Sequence, residues 1–412
     1  MQITDFTQNK AVEKIVAQLR SDQIDRKPFS DLLDSAGNQY IELVQEGGGV
    51  LGVALIGYTF VLEQMGLRFF SLAGTSAGSI NAMLLAGLGD ISQPKSEKVI
   101  EMLVNKNLYD FVDGNSDSRD FIKALVDKAK PVKLAWKGLQ VIDEINEDLG
   151  LNPGNDFLKW LSAFLKQNNI TTQSELEKQF GTLPSDLKIR EGIPKTTEGL
   201  KPRLAIVASD LTTETKVEFP KMSSLYWPKP EEVNPAIYVR ASMSIPYFFS
   251  PMVIKSIPQG DLAQQKWDEL AGFCGKLPRE VSMVDGGILS NFPIDIFHNL
   301  YNVPRMPTFG VRLGDNRNKA NKVEKPLQLF GAMFNTIRHL HDYDFILKNP
   351  DFKQLIEKID IGDHDWLNFA ISDKDKIDLF VRGAQAADRF LRKFDWLFYK
   401  KVREQISLSK PL

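Results

Sequence analysis

Apolar positions along the chain switch between the two-residue step of a strand and the three- to four-residue step of a helix. Residues 1–38 are polar and helical in pattern, ending in turn residues at 35–38. A strand is predicted over 40–45, followed by Gly47-Gly48-Gly49 and an apolar helix over about 50–66. A second apolar strand, 69–72, runs into Gly74-Thr75-Ser76-Ala77-Gly78, and a small-residue helix continues to about residue 88. Strand, glycine loop, helix, strand, tight turn, helix is the opening of an α/β sheet fold.

Residues 95–200 change character. They are rich in Lys, Asp, Glu, Asn and Leu, with helical periodicity over 120–128 and 157–166, and predict a helical insertion or cap. Strands resume at 204–208, 281–284 and 308–312, while Pro228, Pro230 and Pro235 mark a loop before Tyr238. Ile377, Phe380, Val381, Ala384, Ala387, Phe390, Leu391 and Phe394 recur at three- and four-residue steps and predict a helix with one apolar face. The expected organisation is a helical extension over 1–38, a central domain over 39–345 containing the 95–200 insertion, and a helical segment over 346–412 packed on that domain.

Composition narrows the class. Of 412 residues, 43% are hydrophobic and 25% charged, as in ordinary globular enzymes, and a formal net charge of −2 gives no general attraction to nucleic acid. The single cysteine, Cys274, excludes an intramolecular disulfide and fits a reducing, cytoplasmic setting. The N-terminus carries charges through Arg26 and lacks the apolar core of a secretory signal. The longest apolar stretch, about 49–62, is shorter than the ~20 residues that span a bilayer. No metal-ligand spacing is present and no cofactor is expected; His339 and His341, two apart, do not share a helical face.

Three motifs carry chemistry. Gly74-Thr75-Ser76-Ala77-Gly78 fits G-x-S-x-G between a strand and a helix, the setting of a nucleophile elbow, with Ser76 as nucleophile. Its flanks must be small because side chains at Gly74 or Gly78 would collide across the turn, and the following helix N-terminus favours negative charge there. Gly47-Gly48-Gly49-Val50-Leu51-Gly52 can turn backbone N–H groups toward an anion, as an oxyanion hole requires. The same Gly47-x-Gly49-x-x-Gly52 spacing fits a dinucleotide fingerprint, but the second strand ends in Leu72-Ala73-Gly74, without the acid that would hold a ribose. No Lys-Ser or Lys-Thr follows the glycines, so a P-loop is excluded. Asp285-Gly286-Gly287 ends a strand and offers Asp285 as a general base, although alone it reads as an Asp-Gly turn.

The ordered set of glycine run, serine elbow and Asp-Gly-Gly, each at a strand end, resembles the patatin-like phospholipase family. Arg240-Ala-Ser-Met-Ser-Ile-Pro246 with Phe249 and Pro251, Ala208-Ser-Asp-Leu-Thr212, and Asn291-Phe-Pro293 fit the same pattern. The resemblance covers roughly 40–90 and 203–315. Plant patatins usually place an arginine where Leu51 stands, so no role is carried over for that side chain.

The resemblance implies a three-layer α/β/α sandwich with a mainly parallel central sheet and a serine lipid acyl hydrolase of phospholipase A or lysophospholipase type. It also implies a Ser76–Asp285 dyad without histidine, oxyanion donors from Gly47, Gly48 and Gly49 with Ala77, and structural support from Gly52, Gly74, Gly78, Gly286 and Gly287. A Ser-Asp-His triad is the competing arrangement, since His298, His339, His341 and His364 all follow Asp285. Among these, His298 falls in an apparent helix and His364 in an acidic loop. The expected partner is a phospholipid or other acyl-ester lipid, met by peripheral contact with a membrane. Residues 245–249 and 394–401 are apolar candidates for that contact, though such aromatic runs are more often core. An acyltransferase, a signal-activated membrane-degrading effector and a non-catalytic lipid-binding module are the alternative readings.

Overall fold

The computed structural model describes residues 1–126, 147–299, 302–314 and 344–409, with isolated positions 320, 323, 324, 332 and 336. In chain order the main elements are α1 (Lys10–Ser21), β1 (Gln39–Gln45), α2 (Val53–Gln64), β2 (Leu67–Thr75), α3 (Ala77–Gly87), α4 (Ser96–Val104), α5 (Ser116–Val126), α6 (Asn155–Gln167) and α7 (Gln173–Phe180). They continue with β3 (Leu204–Asp210), β4 (Thr215–Phe219), α8 (Ala236–Ser242), β5 (Met252–Lys255), α9 (Asp261–Ala271), β6 (Glu280–Asp285), β7 (Thr308–Leu313), β8 (Ile356–Ile359), α10 (Asp373–Lys393) and α11 (Trp396–Ser409).

The central sheet has the order β8-β7-β1-β2-β3-β6-β5, with β4 also on β3. β8, β7, β1, β2 and β3 pair in parallel, whereas β6 and β4 pair antiparallel with β3, and β5 antiparallel with β6. Helices flank this sheet in a three-layer α/β/α arrangement. Parallel strands covered on both faces read as continuous apolar runs, and every residue of β2 is buried.

On β7, Phe309 packs edge-on against Phe390 and Phe394 at the C-terminal end of α10. A side chain at the next residue, Gly310, would meet Phe292 and Ile294 instead. α2 is buried from Val53 through Glu63 because α10 covers it. The two helices approach closely at Gly57, where a Cβ would lie 2.0 Å from Phe380 O, and at Gly383, where one would lie 1.9 Å from Ala54 O.

Several elements differ from the sequence pattern. The helix expected from residue 50 begins at Val53, after a 3-10 turn over Gly49–Gly52. The insertion is not wholly helical. Gly150–Asn152 pairs in parallel with Tyr247–Phe249, and Lys188–Ile189 pairs with Leu32–Leu33, which itself joins β1. The C-terminal segment contributes β8 to the sheet as well as its helices. His298 sits in a turn, not a helix, with its ring edge-on to Phe345 and Phe352. His339, His341 and the end of the 120–128 periodicity lie outside the described residues.

Candidate active site

β3 is the strand that brings the candidate residues together. β4 runs along one edge of β3 from Ile206 to Asp210. β2 and β6 therefore share the other edge, β2 arriving with Thr75 opposite Val207 and β6 with Asp285 opposite Ala208. The two strands meet end to end, and Ser76, the residue after Thr75, is delivered beside Asp285. Both are buried, at 4% and 6% exposure, and both line one small cleft with Gly48, Gly49, Ile245, Gly287 and Trp366.

Ser76 has φ 50° and ψ −119°, a conformation that costs a non-glycine residue energy and persists only where its surroundings enforce it. The enforcement is visible. The Ser76 amide donates to Ser242 Oγ at 2.9 Å, and Ser242 Oγ donates to Val207 O at 2.6 Å. The Ser76 carbonyl accepts from Ile80 N and from Ser79 Oγ, starting α3. A Cβ on Gly74 would lie 2.3 Å from the Gly78 carbonyl carbon, and one on Gly78 would lie 2.2 Å from Gln45 O, so the turn admits only glycine at both flanks. A Cβ on Gly52 would lie 3.0 Å from the Ala77 Cβ, a closer approach than most side chains make.

Asp285 is held from both sides. Its amide donates to Ser244 O at 2.8 Å, and its Oδ1 accepts the Gly287 N–H at 2.7 Å. A Cβ on Gly286 would lie 2.1 Å from Val207 O, which explains the glycine after the aspartate. Both contacts from the Ser242–Ser244 segment belong to a stretch whose sequence suggested only kinship. Its arginine, Arg240, is also buried and donates to the carbonyls of Pro153 and Ser250, tying the insertion to α8 and to the end of the 247–249 strand. Burial pushes its pKa down to about 10.

The glycine loop departs from expectation at one position. The Gly47 N–H donates to Asn291 O at 3.0 Å, and Asn291 Nδ2 returns a bond to Gly47 O at 3.2 Å. The Gly47 amide is thereby engaged in clasping the loop to Asn291. Gly48 and Gly49 line the cleft, and among the described residues no hydrogen bond engages their amides or that of Ala77. Gly49 has φ +55°, and a Cβ there would lie 2.2 Å from Trp366 O, which accepts the Val50 N–H at 3.1 Å. Just before the loop, buried Glu46 binds Arg312 Nε and Nη2 through Oε1 and Leu313 N through Oε2, tying the ends of β1 and β7. Sequence reading missed this pair, because two charges 266 residues apart give no local signal.

Ser76 also borders a second, apolar cavity of about 110 Å³. Val53, Ile56, Ile80 and Leu84 of α2 and α3 form one side, and Val99, Leu103, Phe111, Phe157 and Trp160 of the insertion form another. Ile245, Phe249 and Phe369 add to the wall, and Lys106 and Asn81 also border it. The insertion thus lies over the site and contributes to it directly. Neither cavity is lined by a described histidine; His364 Nε2 instead meets Asp378 Oδ2 at 2.8 Å. Among the described residues no group of three or more His, Cys, Asp or Glu is placed to hold a metal, and no described helix is long and apolar enough to cross a membrane. Of the apolar membrane-contact candidates, Tyr247, Leu397 and Phe398 are exposed, whereas Phe248, Phe249, Phe394, Trp396 and Tyr399 are core.

Comparison with known proteins places this architecture. The family described as Patatin-like phospholipase matches residues 43–298, more than half of the chain. Protein YqhO of Bacillus subtilis is 30% identical over 359 residues, covering 87% of this chain and all of that protein. Among solved structures, VipD from Legionella pneumophila aligns with 14% identity and a TM-score of 0.43 over 89% of this chain and 70% of its own. ExoU of the Pseudomonas aeruginosa type III secretion system, solved in complex with SpcU, aligns with 15% identity and a TM-score of 0.32 over 86% and 52%. The chain belongs to the patatin-like phospholipase family, a family of lipid acyl hydrolases.

Proposed function

We propose that this protein hydrolyses carboxylic esters of acyl lipids through Ser76 and Asp285. The observation that carries the proposal is the position of Ser76. It stands where a small cleft lined by Asp285, Gly48 and Gly49 meets an apolar cavity walled by the insertion. An ester carbonyl seated at Ser76 would have its acyl chain in the apolar cavity and its carbonyl oxygen at the glycine amides.

In the proposed reaction, Ser76 Oγ attacks the carbonyl carbon and Asp285 takes the serine proton directly. The tetrahedral oxyanion is held by the N–H groups of Gly48, Gly49 and Ala77, with the N-terminus of α3 adding a favourable field. Collapse breaks the ester C–O bond, and the proton held by Asp285 leaves with the alcohol. Asp285 then deprotonates a water, which attacks the acyl-enzyme, releases the fatty acid and restores Ser76. Water as acceptor makes the enzyme a hydrolase; an added alcohol in its place would make it an acyltransferase.

The test is incubation of the purified protein with mixed phospholipids, lysophospholipids and short acyl esters, with mass analysis of released products. Free fatty acid from the wild type and none from Ser76→Ala is the expected result. Equal release by both proteins would remove Ser76 from the mechanism.

A further inference from the structure

The family match ends at residue 298, yet the site does not. The loop between β8 and α10 reaches back to it. Trp366 lines the small cleft beside Asp285 and Phe369 lines the apolar cavity. Phe369 is buried, with its ring stacked on Phe248 at 4.9 Å and edge-on to Phe249 at 6.2 Å. Phe249 is itself part of the cavity wall.

The loop is built to hold that position. At its start, Arg382 of α10 donates to Asp360 O and binds Asp378, which also holds His364. Inside it, Leu367 N donates to Asp365 Oδ1, Phe369 N to Leu367 O and Ile371 N to Asn368 O, a succession of tight turns. At its end, Ser372 caps α10 by accepting from Asp375 N. The Trp366 carbonyl meanwhile grips the glycine loop through Val50 N. Phe369 is thus a rigid ring placed on the cavity by a segment fastened at both ends.

We propose that Phe369 is a specificity-determining residue: it forms the C-terminal wall of the acyl cavity and selects the chain length of the ester taken. This rests on the reading of Ser76 as an acyl-ester hydrolase centre. A flat ring packed between other aromatics offers a long acyl chain contact area that a two-carbon acyl group does not reach. Removing the ring therefore acts on the difference between long and short substrates and not on the chemical step common to both.

The experiment measures kcat/KM for p-nitrophenyl decanoate and p-nitrophenyl acetate in the wild type, Phe369→Ala and Phe369→Leu. The decanoate-to-acetate ratio should fall about tenfold in Phe369→Ala and less in Phe369→Leu, which retains apolar volume. Equal loss on both esters, or an unchanged ratio, overturns the proposal. Binding of cis-parinaric acid by fluorescence, in the Ser76→Ala background with and without Phe369→Ala, reads the cavity independently of turnover. Affinity about tenfold weaker without the ring supports the wall even if no ester is hydrolysed. Unchanged affinity in a variant with an unaltered melting profile refutes it. If Phe369→Ala does not fold, Phe369→Leu decides by the same two readouts.

Discussion

Ser76 and Asp285 stand at the ends of two strands that abut along one edge of β3, the first following Thr75 opposite Val207 and the second opposite Ala208. Sequence separates them by more than two hundred residues; the sheet makes them neighbours. The parallel half of the sheet leads into Ser76 and the antiparallel half ends in Asp285. β4 on the far edge of β3 leaves the incoming strands no other arrangement.

Ser242 is the side chain that connects this junction to the elbow. It accepts the Ser76 N–H and donates to Val207 O. Ser242→Ala would leave a buried amide without its acceptor, a cost of about 1–3 kcal/mol, and loosen the strained turn. The expected effect is a roughly tenfold fall in kcat with little change in KM, since about 1.4 kcal/mol corresponds to tenfold in rate. Ser242→Thr, which keeps the oxygen, should retain more activity. Steady-state kinetics on a short ester check this, and wild-type kcat in Ser242→Ala would exclude the positioning role.

The glycine loop predicts an asymmetry. At Gly49, positive φ and the Trp366 carbonyl leave no room for a Cβ. At Gly48, φ is −178°, extended backbone open to any residue, and a Cβ would meet only the flexible end of Leu313. Gly49→Ala should therefore lower kcat by about 100- to 1,000-fold, the loss typical of a misplaced oxyanion donor. Gly48→Ala should cost much less. Comparable losses at the two positions would show that the loop does not hold its amides as described.

Glu42 of β1 is partly buried, and desolvation pushes its carboxyl up to about 7 against the opposing pull of the Thr308 hydroxyl at 2.6 Å. The folded state thus binds its proton more tightly than the unfolded state, whose glutamate titrates near 4.3. Stability from this group is fully present below the unfolded pKa and is lost as pH rises through about 7. Glu42→Gln should be more stable than the wild type at pH 8, by up to about 3 kcal/mol, and the difference should vanish toward pH 4. Urea unfolding at the two pH values measures it; a pH-independent difference would contradict the assignment.

The three chemical motifs were legible because each is local. An elbow, a glycine run and an Asp-Gly-Gly require small residues within a few positions, and the clashes at Gly74, Gly78, Gly49 and Gly286 show why. What escaped was non-local. β4, β5 and β8 are edge strands of only four or five residues, too short for a clear periodicity of their own. Gly47 looked like its neighbours until Asn291 claimed its amide. Trp366 and Phe369 enter the site from a turn-rich loop with no motif at all, placed there by the packing of α10 on α2.

Ser76 is proposed to be a nucleophile activated by Asp285 without histidine. Reaction with an alkyl fluorophosphonate, followed by mass mapping of the adduct and its rate of formation, tests it most directly. The expected result is a single adduct on Ser76. Its formation should be about 100-fold slower or more in Asp285→Asn and near the wild-type rate when His298, His339, His341 or His364 is replaced singly by alanine. An adduct on another serine, or a histidine variant that slows labelling as much as Asp285→Asn does, would contradict it.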